Sequence, residues 1–520
     1  MRPEADRSRR RRPYLWRQVR KFSQGLTLLA FLAIFLGMPA ARLPGGLTHL
    51  FLQLDPLAVL AQSIASRAWL VGSALGLLTL GLTLVFGRYW CGWVCPLGTL
   101  LDLLPLRGRA RQAPPESWRG IKSLLLVAIL GMALAGSLTL LILDPLTLLL
   151  RGLSSGLWPA LDRLVSALEA ILYPLPGLGD AVAAFDGWVR PALLPSQPVV
   201  SRAGWLYLTV LLGVVALNAW VPRFWCRYLC PLGGLLGWIS RLSLVRRVVG
   251  EQCSGCGLCE RACPTGTIDP GRNYASDPAE CTLCMDCVEA CPAHRTEGKR
   301  SGFHFILPPA LAEAQPYDPG RREALGAFSV GLAGALLAAT EDSNRQLNPA
   351  LLQPPGGRQN DLVARCIRCG VCVRACPTGG LQPALTEAGL EGFWTPVLMP
   401  RLGYCDYACN ACGQVCPAEA IPPLALEEKR QQVIGLAAID RDRCIPWSEQ
   451  GECIICEEMC PVPQKAVYLE EVVALGRDGQ SHRLQRPHVE PELCIGCGIC
   501  EYRCPVAGPA AIRVYALREA

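Results

Sequence analysis

The chain has 520 residues, 28 of them cysteine, with a formal net charge of +7 and a mean hydropathy of +0.27. That cysteine content excludes an ordinary enzyme, and that hydropathy excludes an ordinary soluble protein. A disulfide scaffold is excluded as well: such domains are short and spread their cysteines, whereas nearly all of these sit in tight groups ending in Cys-Pro. The charge does not point to nucleic acid, because Arg9, Arg10, Arg11 and Arg12 stand just before an apolar span, where basic residues hold a cytoplasmic end in place. No basic region interleaved with aromatics occurs, and nucleic acid is not an expected partner.

Four stretches, near 22–41, 68–87, 121–143 and 204–222, are apolar enough to cross a bilayer core, which takes about 20 residues as a helix. After the second come Arg88, Arg107, Arg109, Arg111, Arg119 and Lys122, so that segment and the N-terminus are predicted on the cytoplasmic side. The loops at 42–67 and 144–203 are poorer in basic residues and are expected outside, the second long enough for amphipathic surface helices. A repeat runs through these spans. LDPLAVL at 54–60 precedes RYWCGWVCPLGTLL at 88–101, and LDPLTLL at 143–149 precedes RFWCRYLCPLGGLL at 223–236, which predicts a duplicated helical hairpin. Cys91, Cys95, Cys226 and Cys230 then share the cytoplasmic helix ends, where quasi-symmetry can bring them together as cofactor ligands or redox groups. The plainer alternative is a helix-ending turn with small buried thiols. Asp55 and Asp144, in the paired LDPL motifs, either accept protons near the outer face or simply start a turn.

Next come CSGCGLCERACP at 253–264 and CTLCMDCVEACP at 281–292, both with the spacing C-x2-C-x2-C-x3-C-P. In bacterial ferredoxins three thiolates on one tight loop grip three irons of a cubane, and the fourth reaches the other cluster. On that logic Cys253, Cys256, Cys259 and Cys291 hold one [4Fe–4S] cluster, and Cys281, Cys284, Cys287 and Cys263 hold a second. Two four-cysteine zinc sites are the alternative, but zinc needs neither a third closely spaced cysteine nor the terminal Cys-Pro. Four further quartets follow: Cys366, Cys369, Cys372 and Cys376; Cys405, Cys409, Cys412 and Cys416; Cys444, Cys453, Cys456 and Cys460; Cys494, Cys497, Cys500 and Cys504. Six quartets and the four span-associated cysteines account for all 28, so six [4Fe–4S] clusters are expected, with a further membrane redox centre as an option. The middle two of the last four quartets have a stretched first gap, which suggests nested pairing, first with fourth and second with third; sequential pairing stays open. No haem is expected: His49 is the sole histidine beside a span, and Cys-x2-Cys-His is absent. His294, within CPAHR, reads as a surface residue that at most tunes a potential.

Between the quartets, GRREALGAFSVGLAGALLAAT at 320–340 has the form of a twin-arginine export signal, with Arg321 and Arg322 ahead of a short apolar run. After four crossings these arginines are still cytoplasmic, and the run becomes a fifth span that carries 345–520 outward. Ala324 and Leu325 stand where Phe-Leu is common, and no clear A-x-A site follows, so the run is expected to stay as an anchor. The alternative is an apolar helix packed inside a cytoplasmic domain. The expected organisation is a four-helix membrane domain at 1–249, a cytoplasmic two-cluster ferredoxin at 250–300, a linker and signal anchor at 301–345, and a periplasmic four-cluster ferredoxin at 346–520. The fold class is an α-helical membrane domain joined to α+β bacterial-type ferredoxin modules.

Residues 1–300, with four spans, two WC-x3-CPLG motifs and a two-cluster ferredoxin, resemble the NapH-type membrane ferredoxins. Residues 320–520, with the twin-arginine start and four cluster motifs, resemble the NapG-type exported ferredoxins. The resemblance implies a quinol dehydrogenase of the bacterial inner membrane that passes electrons from membrane quinol to a periplasmic c-type cytochrome or terminal reductase of an anaerobic respiratory chain, with room for further membrane subunits. Related membrane ferredoxins serve nitrous oxide reductase and methylamine dehydrogenase, so nitrate reduction is not implied. Two other classes stay open: an accessory donor for maturation or reactivation of a periplasmic metalloenzyme, and a regulatory redox sensor.

Overall fold

The computed structural model describes residues 15–38, 43–69, 72–104, 113–192, 194, 200–249, 253–292, 303–305, 325–326, 328–333, 351–357, 359–475 and 481–517. Among them, two helices are long and apolar enough to cross a membrane, Leu15–Gly37 and Glu116–Leu134. This differs from the four spans and signal anchor expected from the sequence. Ser73–Phe86 and Gly204–Leu217 are apolar but have 14 residues each, about 21 Å at 1.5 Å per residue, short of a hydrocarbon core of about 30 Å. The reasons are local. The first of these helices stops at Gly87, with φ +64°, and the second stops where Asn218 turns the chain, accepting from the Arg223 amide at 2.7 Å and donating to the Leu101 and Leu104 carbonyls. The stretch 121–143 breaks at Gly136, with φ +84°, into a 3-10 turn at Thr139–Leu143.

These helices carry apolar side chains outward and polar ones inward. Phe22, Leu26, Leu29, Leu77, Leu78, Trp205 and Leu212 are exposed, while Arg20, Gln24, Thr79, Thr83, Lys122 and Ser123 are buried. The sequence repeat is a structural repeat. We label the paired half-helices α1 (Pro56–Ser66), α2 (Pro96–Leu103), α3 (Pro145–Arg151) and α4 (Pro231–Ser240). Asp55 and Asp144 cap α1 and α3; Cys95 and Cys230 precede α2 and α4. Each has proline in its first turn, where the missing N–H costs no intrahelical bond. Along Ser73–Phe86 the Asp55 cap lies near the middle, where Thr79 donates to the Leu54 carbonyl at 2.9 Å, whereas Cys91 and Cys95 follow the end of that helix at Gly87.

The outer loop of the second repeat is helical, with Trp158–Leu172 and Gly179–Ala192 tied by Arg190 to Asp162, Glu169 and Asp186. The described part of the 320–340 run is helical at 328–333 and crosses the Ile121–Leu134 helix closely. Gly331 faces Ala128 with no room for a side chain, and Gly131 faces the Phe328 carbonyl, where a side chain would be tight. Arg321 and Arg322 lie outside the described residues.

All sheets among the described residues are two-stranded and antiparallel. The longest pairs Val467–Leu475 with Ser481–Val489, and Leu436–Ile439 pairs with Ile512–Tyr515, returning the chain's last strand to the segment just before Cys444.

Candidate metal centres

Four of the six quartets share one backbone signature. The second and fourth residues after the first cysteine have positive φ: Gly255 and Gly257, Leu283 and Met285, Arg368 and Gly370, Gly496 and Gly498. This winding points amides inward at sulfur, as where Arg368 N donates to Cys366 Sγ at 3.4 Å. Leu283, Met285 and Arg368 hold a conformation that costs a non-glycine residue of order 1 kcal/mol, which marks the loop as serving something other than its own stability. A five-residue helix carries the third cysteine and ends at the fourth, whose extended backbone (ψ 112° at Cys263, 120° at Cys291, 113° at Cys376) precedes a proline. Proline disfavours helix in the residue before it, and so turns the fourth thiol away from its own loop.

That turn sends the fourth thiol to a neighbouring quartet. Cys263 stands with Cys281 and Cys287, near Cys284. Cys253 and Cys256 are exposed, Cys259 lies beside Cys253, and Cys291 is half-buried. Further along, Cys416 joins Cys366, Cys369 and Cys372 around an empty space of about 540 Å³ including its mouth. Cys376 joins Cys405, Cys409 and Cys412. Cys444, Cys453, Cys456 and Cys504 line a second space of about 370 Å³, and Cys460 reaches Cys497, beside Cys494 and Cys500. The last four quartets therefore pair sequentially, first with second and third with fourth, which corrects the nested pattern suggested by their gaps. The stretched gap before Cys453 has another cause: it carries Trp447, whose indole donates to the Pro487 carbonyl at 3.0 Å and so braces the long hairpin.

Among the described residues no three Cys, His, Asp or Glu side chains converge tightly enough for a single ion. Zinc needs neither a third closely spaced cysteine nor the inward amides of these loops, which suit a larger inorganic core. Burial pushes Cys281, Cys287, Cys405 and Cys456 up to about 12, so binding of a cation there must displace thiol protons.

At the cysteine end of the bundle Cys91, Cys95, Cys226 and Cys230 are buried together. Arg88 and Arg223, which stand three residues before the first cysteine of each repeat, flank them. Arg88 Nη2 lies 3.9 Å from Cys91 Sγ, and Arg223 Nη1 donates to the Cys91 carbonyl at 3.0 Å. A buried ion network surrounds this group. Glu280 takes Arg88 at 3.0 Å, Lys122, and Arg119 at 3.8 Å; Asp102 takes Arg223 at 2.6 Å and Arg20 at 3.4 Å; Asp286 and Glu289 take Arg17, and Asp286 also takes Arg20. Of these groups Arg88 and Arg223 stand against the four thiols, with Asp102 nearby, while Arg17, Arg20 and Asp286 lie at the Cys281 segment.

At the other end the Cys366 space is lined also by Arg151, Ser155 and Tyr207 of the helical domain and by Trp394. Arg151 donates from Nε to the Thr147 carbonyl at 3.2 Å, lies 4.2 Å over the Trp394 ring, and leaves Nη1 without a protein partner. The Tyr207 hydroxyl and the Trp394 indole N–H are likewise unpartnered. Gln62 donates to the Ala418 carbonyl at 3.0 Å, and Arg374 lies over Phe35 and Trp158.

The comparisons agree with this chemistry. Models of a 4Fe-4S binding domain match 68–114 and 203–250, and 363–382 and 487–507; a 4Fe-4S dicluster model matches 252–295. The methylamine utilization ferredoxin-type protein MauM of Methylorubrum extorquens is 37% identical over 213 residues, 39% of this chain and 91% of the relative. The chain belongs to the ferredoxin-type 4Fe-4S proteins. The ferredoxin-type protein NapG of Escherichia coli is 32% identical over 198 residues, 36% of this chain and 79% of that relative. The electron transport protein YccM of Escherichia coli is 30% identical over 224 residues, 41% of this chain and 52% of that relative. No solved structure matches.

The ferredoxin-type assignment fits the donor set: buried thiols spaced around a volume, inward amides, and unpartnered N–H and O–H groups at the Cys366 space that an anionic iron–sulfur core can accept. Sequence reasoning missed Arg88, Arg223, Glu280, Arg151, Tyr207 and Trp394. For Arg88 and Arg223 the signal was present, since they occupy the same place in the two copies. The others come into place only through packing between distant segments. His49 is half-buried at the end of a short turn, and His294 lies outside the described residues.

Proposed function

We propose that the chain is a fused NapH-type and NapG-type quinol dehydrogenase, anchored in the inner membrane, that moves electrons from membrane quinol to a periplasmic c-type cytochrome or terminal reductase. The observation that carries this reading is the Cys366 space, which is closed on one side by Arg151 and Tyr207 of the helical domain and on the other by the four-quartet unit. A cluster there would sit at the junction between membrane and exported parts. The twenty-four quartet cysteines would ligate six [4Fe–4S] clusters, and Cys91, Cys95, Cys226 and Cys230 a further membrane centre, favoured by Arg88 and Arg223 beside them. When bound, these groups supply one-electron carriers; the chain's residues hold them, exclude water and set their potentials. The outward apolar faces of the helices and the crossing of 328–333 on Ile121–Leu134 support four spans with a fifth retained as an anchor, which would leave 250–300 cytoplasmic and 346–520 periplasmic.

The test is anaerobic. The detergent-purified protein is mixed with reduced quinol, and cluster bleaching and EPR are followed; rapid reduction that a c-type cytochrome then reverses is the expected result. Reduction by dithionite but not by quinol would overturn the quinol assignment. Iron analysis counts the centres: about 24 per chain for six cubanes, about 28 with a membrane cluster, and about 16 would refute the six.

A further inference from the structure

The two LDPL motifs leave a feature that electron transfer alone does not use. Asp55 and Asp144 are both fully buried. In each, one oxygen caps its half-helix: Asp55 Oδ1 accepts from the Leu57 and Ala58 amides at 2.9 and 3.3 Å, and Asp144 Oδ2 from the Leu146 and Thr147 amides at 3.1 and 3.0 Å. The plain role of an Asp-Pro cap is thereby complete with one oxygen. The other oxygen of each, Asp55 Oδ2 and Asp144 Oδ1, has no donor, and the two carboxyl groups face one another across the repeat axis. Two ionised carboxylates cannot remain so in a dry site. A single proton held between them turns two orphan acceptors into one hydrogen bond.

Arg151 on α3 acts on Asp144 and also faces Cys369, Arg368 and Tyr207. The capping amides of α1 and α3 also lie against the two carboxyls. Arg151 thus stands between the carboxyl pair and the space enclosed by Cys366, Cys369, Cys372 and Cys416, with its free Nη1 at that space. Neither aspartate touches a cysteine, so its charge reaches the thiols through the guanidinium.

We propose that Asp55 and Asp144 form a shared-proton site whose proton occupancy is linked, through Arg151, to the redox state of the cluster held by Cys366, Cys369, Cys372 and Cys416. The pair carries one shared proton beforehand; on one-electron reduction of the cluster that these thiols would hold, it would take up a second proton from the medium on the remaining carboxylate, so the added negative charge would be balanced nearby. In the proposed function quinol supplies the electron. The inference rests on that cluster being present, not on quinol being the donor.

The test is an EPR-monitored redox titration of the full-length protein with dithionite and mediators over a range of pH. Redox-difference infrared spectra are recorded in water and in deuterium oxide. In the wild type one cluster's potential falls as pH rises, because reduction takes up a proton, and a deuterium-sensitive carboxylic C=O band accompanies its reduction. Asp55→Asn and Asp144→Asn keep the helix cap and let an amide donate to the remaining carboxylate. Each is expected to lose both the slope and the band while keeping the cluster's EPR signal. A pH-independent potential in the wild type, or slope and band retained in both variants, overturns the proposal. Absence of the cluster signal and of its iron from wild-type protein would overturn it by removing the group to which the proton is linked, and failure of quinol alone to reduce the protein would count against the quinol reading instead.

Discussion

The helical domain meets ferredoxin-like segments at both ends, and the two junctions are built from different forces. At the cysteine end the Cys281 segment is held by charge: Arg88, Lys122 and Arg119 converge on Glu280, and Arg17 and Arg20 on Asp286. At the aspartate end the Cys366 segment is held by rings and single hydrogen bonds, with Arg151 on Trp394, Arg374 on Phe35 and Trp158, and Gln62 on the Ala418 carbonyl. A buried ionic junction is intolerant of losing one partner, whereas a stacked one loses stability in smaller steps. The charged junction surrounds four thiols; the stacked junction is itself one wall of a quartet. The difference teaches that one end is organised around a charge to be balanced and the other around a contact through which two parts meet.

The largest effect tests which thiols belong to the stacked junction. Cys416→Ser is expected to abolish the cluster of Cys366, Cys369 and Cys372, a loss of about 4 irons per chain, and Cys376→Ser to abolish the separate cluster of Cys405, Cys409 and Cys412. Iron analysis and EPR of the two variants check this; identical spectra would break the sequential pairing. Next is Glu280→Gln at the charged junction. It leaves Arg88 and Lys122 buried without their carboxylate, at a cost of about 3–5 kcal/mol, read by denaturant unfolding and by protease access to residues 253–292. Trp394→Ala at the stacked junction removes the ring under Arg151 and is expected to cost about 2 kcal/mol by the same measurement. If it costs as much as Glu280→Gln, the contrast between the ends fails.

The quartets and the internal repeat were legible because ligand spacing and duplication are local in sequence. Asp55 and Asp144 could be singled out from their motifs, but that they face one another could not, since 89 positions separate them and only packing joins them. The partner of each fourth cysteine in the last four quartets stays open in the sequence because gap length does not decide pairing; the Cys444 to Cys453 insertion carries Trp447, which braces the long hairpin. The helices end sooner than the apolar runs for a related reason. Hydropathy continues past Leu134 and Leu217, but Gly136 and Asn218 turn the backbone there, and hydropathy does not register a turn. Arg151 was invisible as a site residue because an arginine in an apolar loop reads as a topological signal until the ring it covers is known.

The smallest effect sharpens the comparison from within the charged junction. Arg17 pairs with Asp286 at 3.0 Å and Glu289 at 2.6 Å, but its side chain is 36% exposed and Asp286 keeps Arg20 when it is gone. Arg17→Ala is therefore expected to cost under about 1 kcal/mol, as exposed ion pairs do. Salt separates the two classes of ion pair. At about 1 M the screening length falls to about 3 Å, which should erase the difference between wild type and Arg17→Ala while leaving most of the Glu280→Gln penalty, because solvent ions do not reach buried groups. Equal salt sensitivity in both variants would mean that water enters the Glu280 site, and Arg88 beside Cys91 would then be screened rather than available to an anionic occupant.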